Sequence, residues 1–333
     1  MKDLKLIVND VHLRQDNIEL VQNIMLQAAE NALELGLPSV TVAGDFFDTR
    51  ASQKLGVLKA FHQILDDYQE LGLMLELMHG NHDLSSYTDT YSWITPFQDH
   101  EALLLIDRWQ VVGVDGFSIA YLPFQDEAMM IESLKEMPAA NVLIGHLELN
   151  GSKSHGIEAT GRAISASILS KYDLVLLGHY HDEHWVTDSI YHMPAAYQHN
   201  FAEDTVKGFT VLSDDLTIRH IQADFRQYET LTLNVDEDVS KDVRKLLKMA
   251  ENEDKNIRVK LEGSQASLNS FKQDKLKLAG VDVKVNHEKI YNADTKALRE
   301  MRIEKVNVDD AFKAFCEKEK ISLEEGLKFL KED

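Results

Sequence analysis

Acidic and histidine residues of the chain recur in five short blocks, each directly after a predicted apolar strand. The blocks are Asp10-Val11-His12, Gly44-Asp45 with Asp48, Gly80-Asn81-His82-Asp83, Gly145-His146, and Gly178-His179-Tyr180-His181. In α/β sheets, ligands bind at the carboxyl ends of the strands. Alternate side chains of an extended backbone point the same way, so Asp10 with His12 and His179 with His181 can each direct two ligands at one site. Together the blocks predict a metal centre.

Asp45 is the residue around which we expect this centre to form. It follows a short apolar run at residues 39–43 that is typical of a buried parallel strand, and the glycine before it lets the backbone turn sharply. Counting donors gives two half-sites that share Asp45. The first comprises Asp10, His12, Asp45 and His181, and the second Asp45, Asn81, His146 and His179. Carboxylate, amide and imidazole donors without a thiolate favour Mn²⁺, Fe or Zn²⁺.

Two divalent ions that share one carboxylate indicate phosphoester hydrolysis. Such ions lie ~3.5 to 4 Å apart, and a water between them becomes hydroxide near neutral pH and attacks phosphorus in line. The leaving oxygen then needs a proton. His82, next to the predicted ligand Asn81, is the predicted acid, and Asp48 is predicted to orient its imidazole as a carboxylate orients a catalytic histidine.

Apolar periodicity predicts the elements that position these blocks. Residues 1–224 alternate strands with helices, the helices being predicted at 17–35, 53–71 and 126–137, with a weaker one at 163–170. The first helix is predicted to bury Ile18, Val21, Met25, Ala28 and Ala32, and the second Leu55, Leu58, Leu65 and Tyr68. Strands become shorter after residue 100. Two mixed β-sheets packed as a sandwich and flanked by helices, an α/β (α+β) fold, fit this better than one doubly wound sheet.

The rest of the chain is predicted to hold a smaller unit and a tail. Residues 225–288 have a βαβαβ pattern, with helices predicted at 239–250 and 268–278, and no metal-type cluster, which predicts a cap or recognition domain. Residues 289–307 are linker-like, and residues 308–333 predict C-terminal helices. The apolar residues of these helices are too few for a core, so we expect them to dock on the parent domain or on a partner.

Composition limits the possible functions. The chain has 333 residues, of which 35 are basic and 56 acidic, for a formal charge of −21. A protein that holds nucleic acid by itself usually carries a basic face, so either the substrate is not a nucleic acid or metals and a partner supply positive charge. The single cysteine, Cys316, cannot form an internal disulfide. The chain shows no membrane-length apolar run and starts with a strand instead of a signal peptide, so we expect a cytoplasmic location, in the host cell if the protein is viral.

The blocks resemble the motifs of the calcineurin-like metallophosphoesterase superfamily. That pattern is Asp-x-His, Gly-Asp-x-x-Asp, Gly-Asn-His-Asp or Glu, Gly-His, and Gly-His-x-His, and every position is filled between residues 10 and 181. A small cap after the sheets resembles the SbcD nucleases, which are partners of the SbcC coiled-coil ATPase. The run Gly-His-Leu-Glu-Leu-Asn-Gly at 145–151 is similar to recombination nuclease subunits of T-even-like bacteriophages. One position departs: cellular double-strand-break nucleases commonly have histidine where this chain has Asp48.

The resemblance implies a manganese-dependent nuclease of DNA recombination and repair. Its activities would be 3′-to-5′ exonuclease action on duplex DNA and endonuclease action on single strands or hairpins. It also implies a homodimer bound to two ATPase subunits, with residues 308–330 gripping the ATPase coiled coil. Two alternatives stay open: a small-molecule or cyclic-nucleotide phosphodiesterase, and a non-catalytic scaffold of the same fold. The loss of a predicted ligand would favour the scaffold, and no ligand is missing.

Overall fold

The structure, a computed structural model, describes residues 2–86, 91–154, 157–161, 164–251 and 255–285. Its strands are β1 (Asp3–Val8), β2 (Ser39–Ala43), β3 (Met74–Met78), β4 (Leu103–Ile106), β5 (Gln110–Val114), β6 (Phe117–Leu122), β7 (Val142–His146), β8 (Lys153–Ser154), β9 (Ile157–Glu158), β10 (Leu174–Gly178), β11 (His184–Thr187), β12 (Ile190–His192), β13 (Gly208–Ser213), β14 (Ile218–Gln222), β15 (Gln227–Asn234), β16 (Lys255–Glu262) and β17 (Asp282–Val285). Its α-helices are α1 (Ile18–Glu34), α2 (Leu55–Glu70), α3 (Glu127–Glu136), α4 (Ser240–Glu251), α5 (Gln265–Ser270) and α6 (Asp274–Leu278), and two 3₁₀ helices cover Thr95–Phe97 and Ala166–Leu169.

Two six-stranded sheets make up most of the described chain. The first has the order β14-β13-β1-β2-β3-β4 and the second β11-β12-β10-β7-β6-β5. The strands β1 to β4 run parallel, and β13 and β14 add antiparallel pairs to that sheet. In the second sheet β6, β7, β10 and β12 run parallel, while the edge strands β5 and β11 are antiparallel to their neighbours. Both sheets are therefore mixed, which confirms the predicted fold class.

A shared apolar core lies between the two sheets. It takes Ile7 and Met78 from the first sheet and Ile144 and Leu176 from the second, all nearly or fully buried. The outer face of the first sheet packs against α1 and α2, and the outer face of the second against α3. The result is a helix–sheet–sheet–helix sandwich, in which each sheet buries both of its faces.

The predicted helix faces are partly correct. Val21, Met25, Ala28 and Ala32 of α1 are buried, as predicted. The prediction of a buried Leu55 is wrong, because that side chain is 74% exposed. It starts α2 two residues before the buried Val57, and successive residues of a helix are ~100° apart, so the two lie on nearly opposite faces.

A third, three-stranded parallel sheet follows the sandwich. Its order is β15-β16-β17, and its core includes Leu233, Val259 and Leu261 of the strands with Leu246 of α4. The helix predicted at 268–278 is instead two short helices, because Phe271 adopts an extended backbone after α5 and packs against this core. The domain boundaries stay a prediction, and the predicted linker at 289–307 and the C-terminal helices at 308–333 lie outside the described residues.

None of the described helices combines the length and apolar character that a bilayer span requires.

A buried ionic network connects the strands of the sandwich. Both carboxylate oxygens of Glu76 on β3 accept hydrogen bonds from Lys5 on β1 at 2.6 Å. Ser39 and Thr41 of β2 donate to the same carboxylate at 2.7 and 2.8 Å, and Tyr121 of the second sheet donates at 3.1 Å. The Lys5 and Glu76 side chains are only 7% and 12% exposed. The network therefore fixes the register of three strands and ties the two sheets together.

Replacing Glu76 with Gln is expected to lower the free energy of unfolding by about 3–5 kcal/mol at neutral pH, because Lys5 then stays buried without an anion. Burial would raise the pKa of Glu76, but the Lys5 ammonium outweighs it and lowers that pKa. The folded-state pKa is thus below the unfolded one, so the contribution is present above the ordinary pKa and is lost as the pH falls. The difference between wild type and Glu76→Gln should shrink from neutral pH to about pH 4.

Urea unfolding at both pH values measures this difference. The matched control is Glu132→Gln, which removes an exposed ion pair with Lys135 and should change stability by less than about 1 kcal/mol. An equal loss for the two variants would contradict the assigned role of Glu76.

Candidate metal centre

The carboxyl ends of five parallel strands meet at one end of the sandwich. The strands β1, β2 and β3 are neighbours in the first sheet, and β7 and β10 are neighbours in the second. Ala43 pairs with Met78, and His146 pairs with Gly178, so adjacent strands end at the same level. The sheets touch directly here, because the His146 Nδ1 lies 2.8 Å from the carbonyl oxygen of Ala43. All five predicted blocks therefore lie around one site at this end of the sandwich.

The second predicted half-site forms a compact group of donors. The Nε2 of His146 lies 3.3 Å from Asp45 Oδ2 and 3.1 Å from Asn81 Oδ1. The Nδ1 of His179 lies 2.9 Å from the same Asn81 oxygen. Asp45, His146 and His179 each offer an atom within 4.8 Å of the others, a spacing suited to one cation. The structure thus brings all four predicted residues together.

The first predicted half-site lies on the other side of Asp45. The Nε2 of His12 is 3.2 Å from Nε2 of His181 and 3.8 Å from Asp45 Oδ2. Asp10, the fourth predicted member, contacts the second half-site instead, because its Oδ2 accepts a hydrogen bond of 3.1 Å from the backbone N–H of His179. Asp45 therefore belongs to a donor group on each side, as a bridging carboxylate would.

The burial of Asp10 indicates that these residues are suited to bind a cation. The residue is fully buried, and its Oδ1 has no hydrogen-bond partner among the described residues. A buried carboxylate oxygen without a donor is costly, and burial accordingly raises the pKa of Asp10. Burial lowers the pKa of His146, but the Asp45 carboxylate outweighs it and raises that pKa to about 9. The cluster favours added positive charge, and its oxygen and imidazole donors fit divalent metal ions.

Carboxylates behind the histidines set the orientation of the rings. The Nδ1 of His181 lies 2.9 Å from Glu203 Oε1, and the Nε2 of His179 lies 3.3 Å from Glu148 Oε1. Metal-binding histidines characteristically donate their second ring N–H to such a partner, which fixes the tautomer. By this rule His181 offers Nε2 and His179 offers Nδ1. Sequence analysis missed both carboxylates: Glu148 follows His146 by two residues, whereas Glu203 lies in a loop segment with no motif signal.

His199 is a further residue near the first half-site that belongs to none of the five blocks. Its ring centroid lies 4.6 Å from that of His181 and 4.9 Å from that of His12, and the three residues form a third group of donors. Its Nε2 also lies 2.9 Å from the backbone oxygen of Asp10. The predicted ligand set is complete without His199. We therefore describe His199 as a neighbour of the first half-site and not as one of its ligands.

Asp83 joins the loops that carry Asp45 and Asn81. Its carboxylate accepts backbone N–H groups of Gly80 at 2.8 Å, Phe47 at 2.8 Å and Phe46 at 3.2 Å. Burial and the nearby Asp45 charge raise the pKa of Asp83 to about 7. The residue closes the Gly-Asn-His-Asp block and holds the two ligand loops against each other.

His82 and Asp48 contact each other through a different atom from the one that the sequence predicts. The Nδ1 of His82 lies 2.6 Å from the backbone oxygen of Asp48, and not against its carboxylate. The Asp48 carboxylate is 3.7 Å from His12 Nδ1 and 3.8 Å from an Arg14 guanidinium nitrogen. The main chain at Asp48 therefore orients the His82 ring, while the carboxylate faces the first half-site.

The sharp turns out of the strands involve the predicted ligands themselves. Left-handed backbone conformations, with φ of 47°, 49°, 51° and 98°, occur at Asp10, His12, Asp45 and His179. Such conformations cost about 1–3 kcal/mol each for residues other than glycine and concentrate at functional sites. Glycine serves a second purpose at Gly178, where a Cβ atom would lie 2.6 Å from the Ala43 carbonyl oxygen. Close approach of the two sheets therefore explains that glycine.

Three viral proteins are similar to this chain. A protein of Invertebrate iridescent virus 6 that is named as a phosphoesterase is 23% identical over 216 residues, covering 62% of this chain and 74% of its own. Exonuclease subunit 1 of Enterobacteria phage T4 is 25% identical over 177 residues, which are 49% of this chain and 50% of that protein. A protein of Invertebrate iridescent virus 3, also named as a phosphoesterase, is 22% identical over 211 residues, or 60% of this chain and 58% of its own.

The chain thus spans about half the length of the phage exonuclease subunit and little more of the second iridescent virus protein. No protein-family model matches the chain. These similarities confirm the resemblance to phosphoesterases and to a phage nuclease subunit.

Replacing Glu203 with Gln is expected to weaken divalent-metal binding by roughly 10- to 100-fold, because His181 loses the charged partner that fixes its ring. Isothermal titration with Mn²⁺ measures the affinity, and Glu132→Gln is the matched control on the exposed surface. An unchanged affinity in Glu203→Gln would show that the carboxylate does not support the centre.

Proposed function

We propose that this relative of viral phosphoesterases is a two-metal DNA nuclease and the catalytic subunit of an SbcCD-like ATPase–nuclease complex. The proposed reactions are 3′-to-5′ exonuclease cleavage of duplex DNA and endonuclease cleavage of single strands or hairpins, during recombination and double-strand-break processing. The observation that carries the proposal is the position of Asp45 between two groups of metal-type donors. The proposed location is the cytoplasm of the host cell, since the aligned relatives are viral.

The residues divide into metal-holding and proton-transferring groups. Asp10, His12, Asp45 and His181 would hold one ion, and Asp45, Asn81, His146 and His179 the other. Two bound ions, which we propose are Mn²⁺, would neutralise the charge that develops on the phosphate and lower the pKa of a nucleophilic water.

We assign proton transfer to His82. Its Nδ1–H donates to the Asp48 carbonyl oxygen, which leaves Nε2 as the nitrogen that can pass a proton to the leaving oxygen. The Asp48 main chain is a positioning element in this scheme, and its carboxylate lies 3.7 Å from His12 Nδ1.

The distribution of charge supports DNA as the substrate. Residues 1–224 contain 33 acidic and 13 basic side chains, whereas residues 225–285 contain 11 acidic and 12 basic ones. Four of the basic side chains, Lys241, Arg244, Lys245 and Lys248, are exposed on α4. The catalytic region alone would repel a polyanion. We therefore propose that residues 225–288 form the cap that contacts DNA.

The proposed partners supply the remaining contacts. We propose a homodimer that binds two SbcC-like coiled-coil ATPase subunits through residues 308–330, which lie outside the described residues. The printed name of the phage relative, a subunit of an exonuclease, supports assembly into a complex. A basic ATPase surface would compensate for the acidity of residues 1–224.

End-labelled duplex DNA is expected to be shortened in the presence of Mn²⁺ and to stay intact in the presence of chelator. His82→Ala should abolish this cleavage while Mn²⁺ binding, followed by titration calorimetry, is retained. Asp48→Ala should reduce the rate much less, because a backbone carbonyl is present whatever the side chain.

Three results would argue against this scheme. Cleavage of bis-p-nitrophenyl phosphate without cleavage of DNA would favour a small-molecule phosphodiesterase. Inactivity on both, even with the ATPase present, would favour a scaffold. Loss of Mn²⁺ binding in His82→Ala would make His82 a ligand and not the acid, as its closeness to His12 and Asp45 allows.

Replacing the α4 residues Lys241, Arg244, Lys245 and Lys248 with Gln is expected to weaken DNA binding about equally for all sequences and to reduce its salt dependence, because phosphate contacts release counterions. Fluorescence anisotropy at several salt concentrations measures both effects. The control replaces Lys2, Lys54, Lys59 and Lys135, which are outside the cap. If the control set loses as much affinity as the α4 set, the cap is not the contact surface.

A further inference from the structure

A lysine side chain lies buried behind the first half-site. The side chain of Lys207 has no exposed surface, and its Nζ donates to the backbone oxygen of His181 at 2.7 Å. Its other two acceptors are carboxylate oxygens, Asp182 Oδ1 at 2.7 Å and Asp204 Oδ1 at 3.2 Å. An ammonium group carries three N–H donors, so each of them has a partner. Burying a charge is costly unless it is paired and hydrogen-bonded, so these acceptors hold the ammonium in one position.

Lys207 connects the two sheets beside the metal centre. It directly precedes β13 of the first sheet, and its backbone oxygen accepts the N–H of Ala223 at 3.2 Å. His181 and Asp182, which its ammonium contacts, follow β10 of the second sheet. The loop between β12 and β13 is held at the same place, because the backbone N–H of Asp204 donates to Asp182 Oδ1 at 3.1 Å. Lys207 therefore joins this loop to the main chain of a proposed metal ligand.

The same loop carries Glu203, whose carboxylate lies behind the His181 ring. Glu203 Oε1 lies 2.9 Å from His181 Nδ1, and Glu203 Oε2 lies 3.8 Å from Lys207 Nζ. The Glu203 and Lys207 side chains are both fully buried. Without the ammonium, the carboxylates of Glu203, Asp182 and Asp204 would repel one another, and weak screening around the buried Glu203 strengthens that repulsion. The loop would then move away from β10, and His181 would lose the partner that fixes its ring.

We propose that Lys207 is a positioning residue of the first half-site. Its contacts set both the main chain of His181 and the carboxylate behind the His181 ring, so they fix the direction in which His181 Nε2 meets a metal ion. The inference rests on the proposed two-metal centre and adds to it a residue 26 positions after His181, outside the five blocks. All three donors of Lys207 act on this side. A substitution should therefore weaken one bound ion and spare the ion proposed at Asn81, His146 and His179.

The substitution Lys207→Met tests this proposal, because it keeps most of the side-chain length and removes the ammonium. Isothermal titration with Mn²⁺ should show two bound ions in wild type. In the variant, the affinity for one ion should fall by roughly 10- to 100-fold and the affinity for the other should be unchanged. Electron paramagnetic resonance reports the pair independently of activity. Two Mn²⁺ ions that share Asp45 are magnetically coupled, so wild type with two equivalents should give a coupled signal and the variant the hyperfine pattern of an isolated ion.

The matched control is Lys5→Met. It also removes a buried ammonium from a carboxylate, that of Glu76, but in the network between the strands. Both variants should unfold at lower urea concentrations than wild type, and only Lys207→Met should lose the coupled pair. In a His181→Ala background, Lys207→Met should change the Mn²⁺ affinity little, because the ligand through which Lys207 acts is already gone.

Asp204→Ala is a milder second variant, because the Asp204 side chain is 44% exposed and supplies one of the three acceptors. It should weaken the same ion by roughly 2- to 12-fold, the equivalent of one typical hydrogen bond. A coupled pair of wild-type affinity in Asp204→Ala, or in a folded Lys207→Met, would overturn the proposal, as would loss of the pair in Lys5→Met. If wild type itself binds no coupled pair, the proposed two-metal centre fails, and the assignment of Lys207 fails with it.

Discussion

The architecture depends on burying a charged carboxylate, Asp45, where two β-sheets meet. Only 2% of that residue is exposed, and burying an unpaired carboxylate costs several kcal/mol. Donors from both sheets compensate for this cost. The backbone N–H of His82 donates to Asp45 Oδ1 at 2.8 Å, and His146 Nε2 lies 3.3 Å from Asp45 Oδ2. Neither sheet could hold Asp45 alone, so the sandwich and the centre depend on the same contacts.

Rigidity around Asp45 comes from the main chain as much as from side chains. Asp83 binds three backbone N–H groups of the neighbouring loops, and His146 binds the Ala43 carbonyl oxygen. These bonds hold several donors in left-handed conformations that an isolated peptide would avoid. The core that offsets this cost extends across both sheets, and the Glu76–Lys5 network keeps the strands in register.

Sequence periodicity predicted the two mixed sheets and the order in which the donor blocks follow the strands. It succeeded because an apolar strand followed by Gly-Asp or Gly-His is a local pattern. It could not predict contacts made by the main chain, such as the Asp48 carbonyl against His82. It also could not predict the contact of Glu203 with His181 or that of His199 with His12, because no local pattern links these residues. The prediction that Leu55 is buried was wrong for a different reason: periodicity gives the spacing of an apolar face but not the residue at which that face begins.

The supporting carboxylate Glu203 comes far later in the chain than Asp10, and His181 stands between them in sequence. A growing polypeptide therefore leaves the ribosome with its early donors long before the late ones exist. The β10 strand enters its sheet between β7 and β12, and the β12 strand is made only after His181. The proposed centre, with the Glu203 carboxylate behind His181, can consequently form only once more than 200 residues have been synthesised.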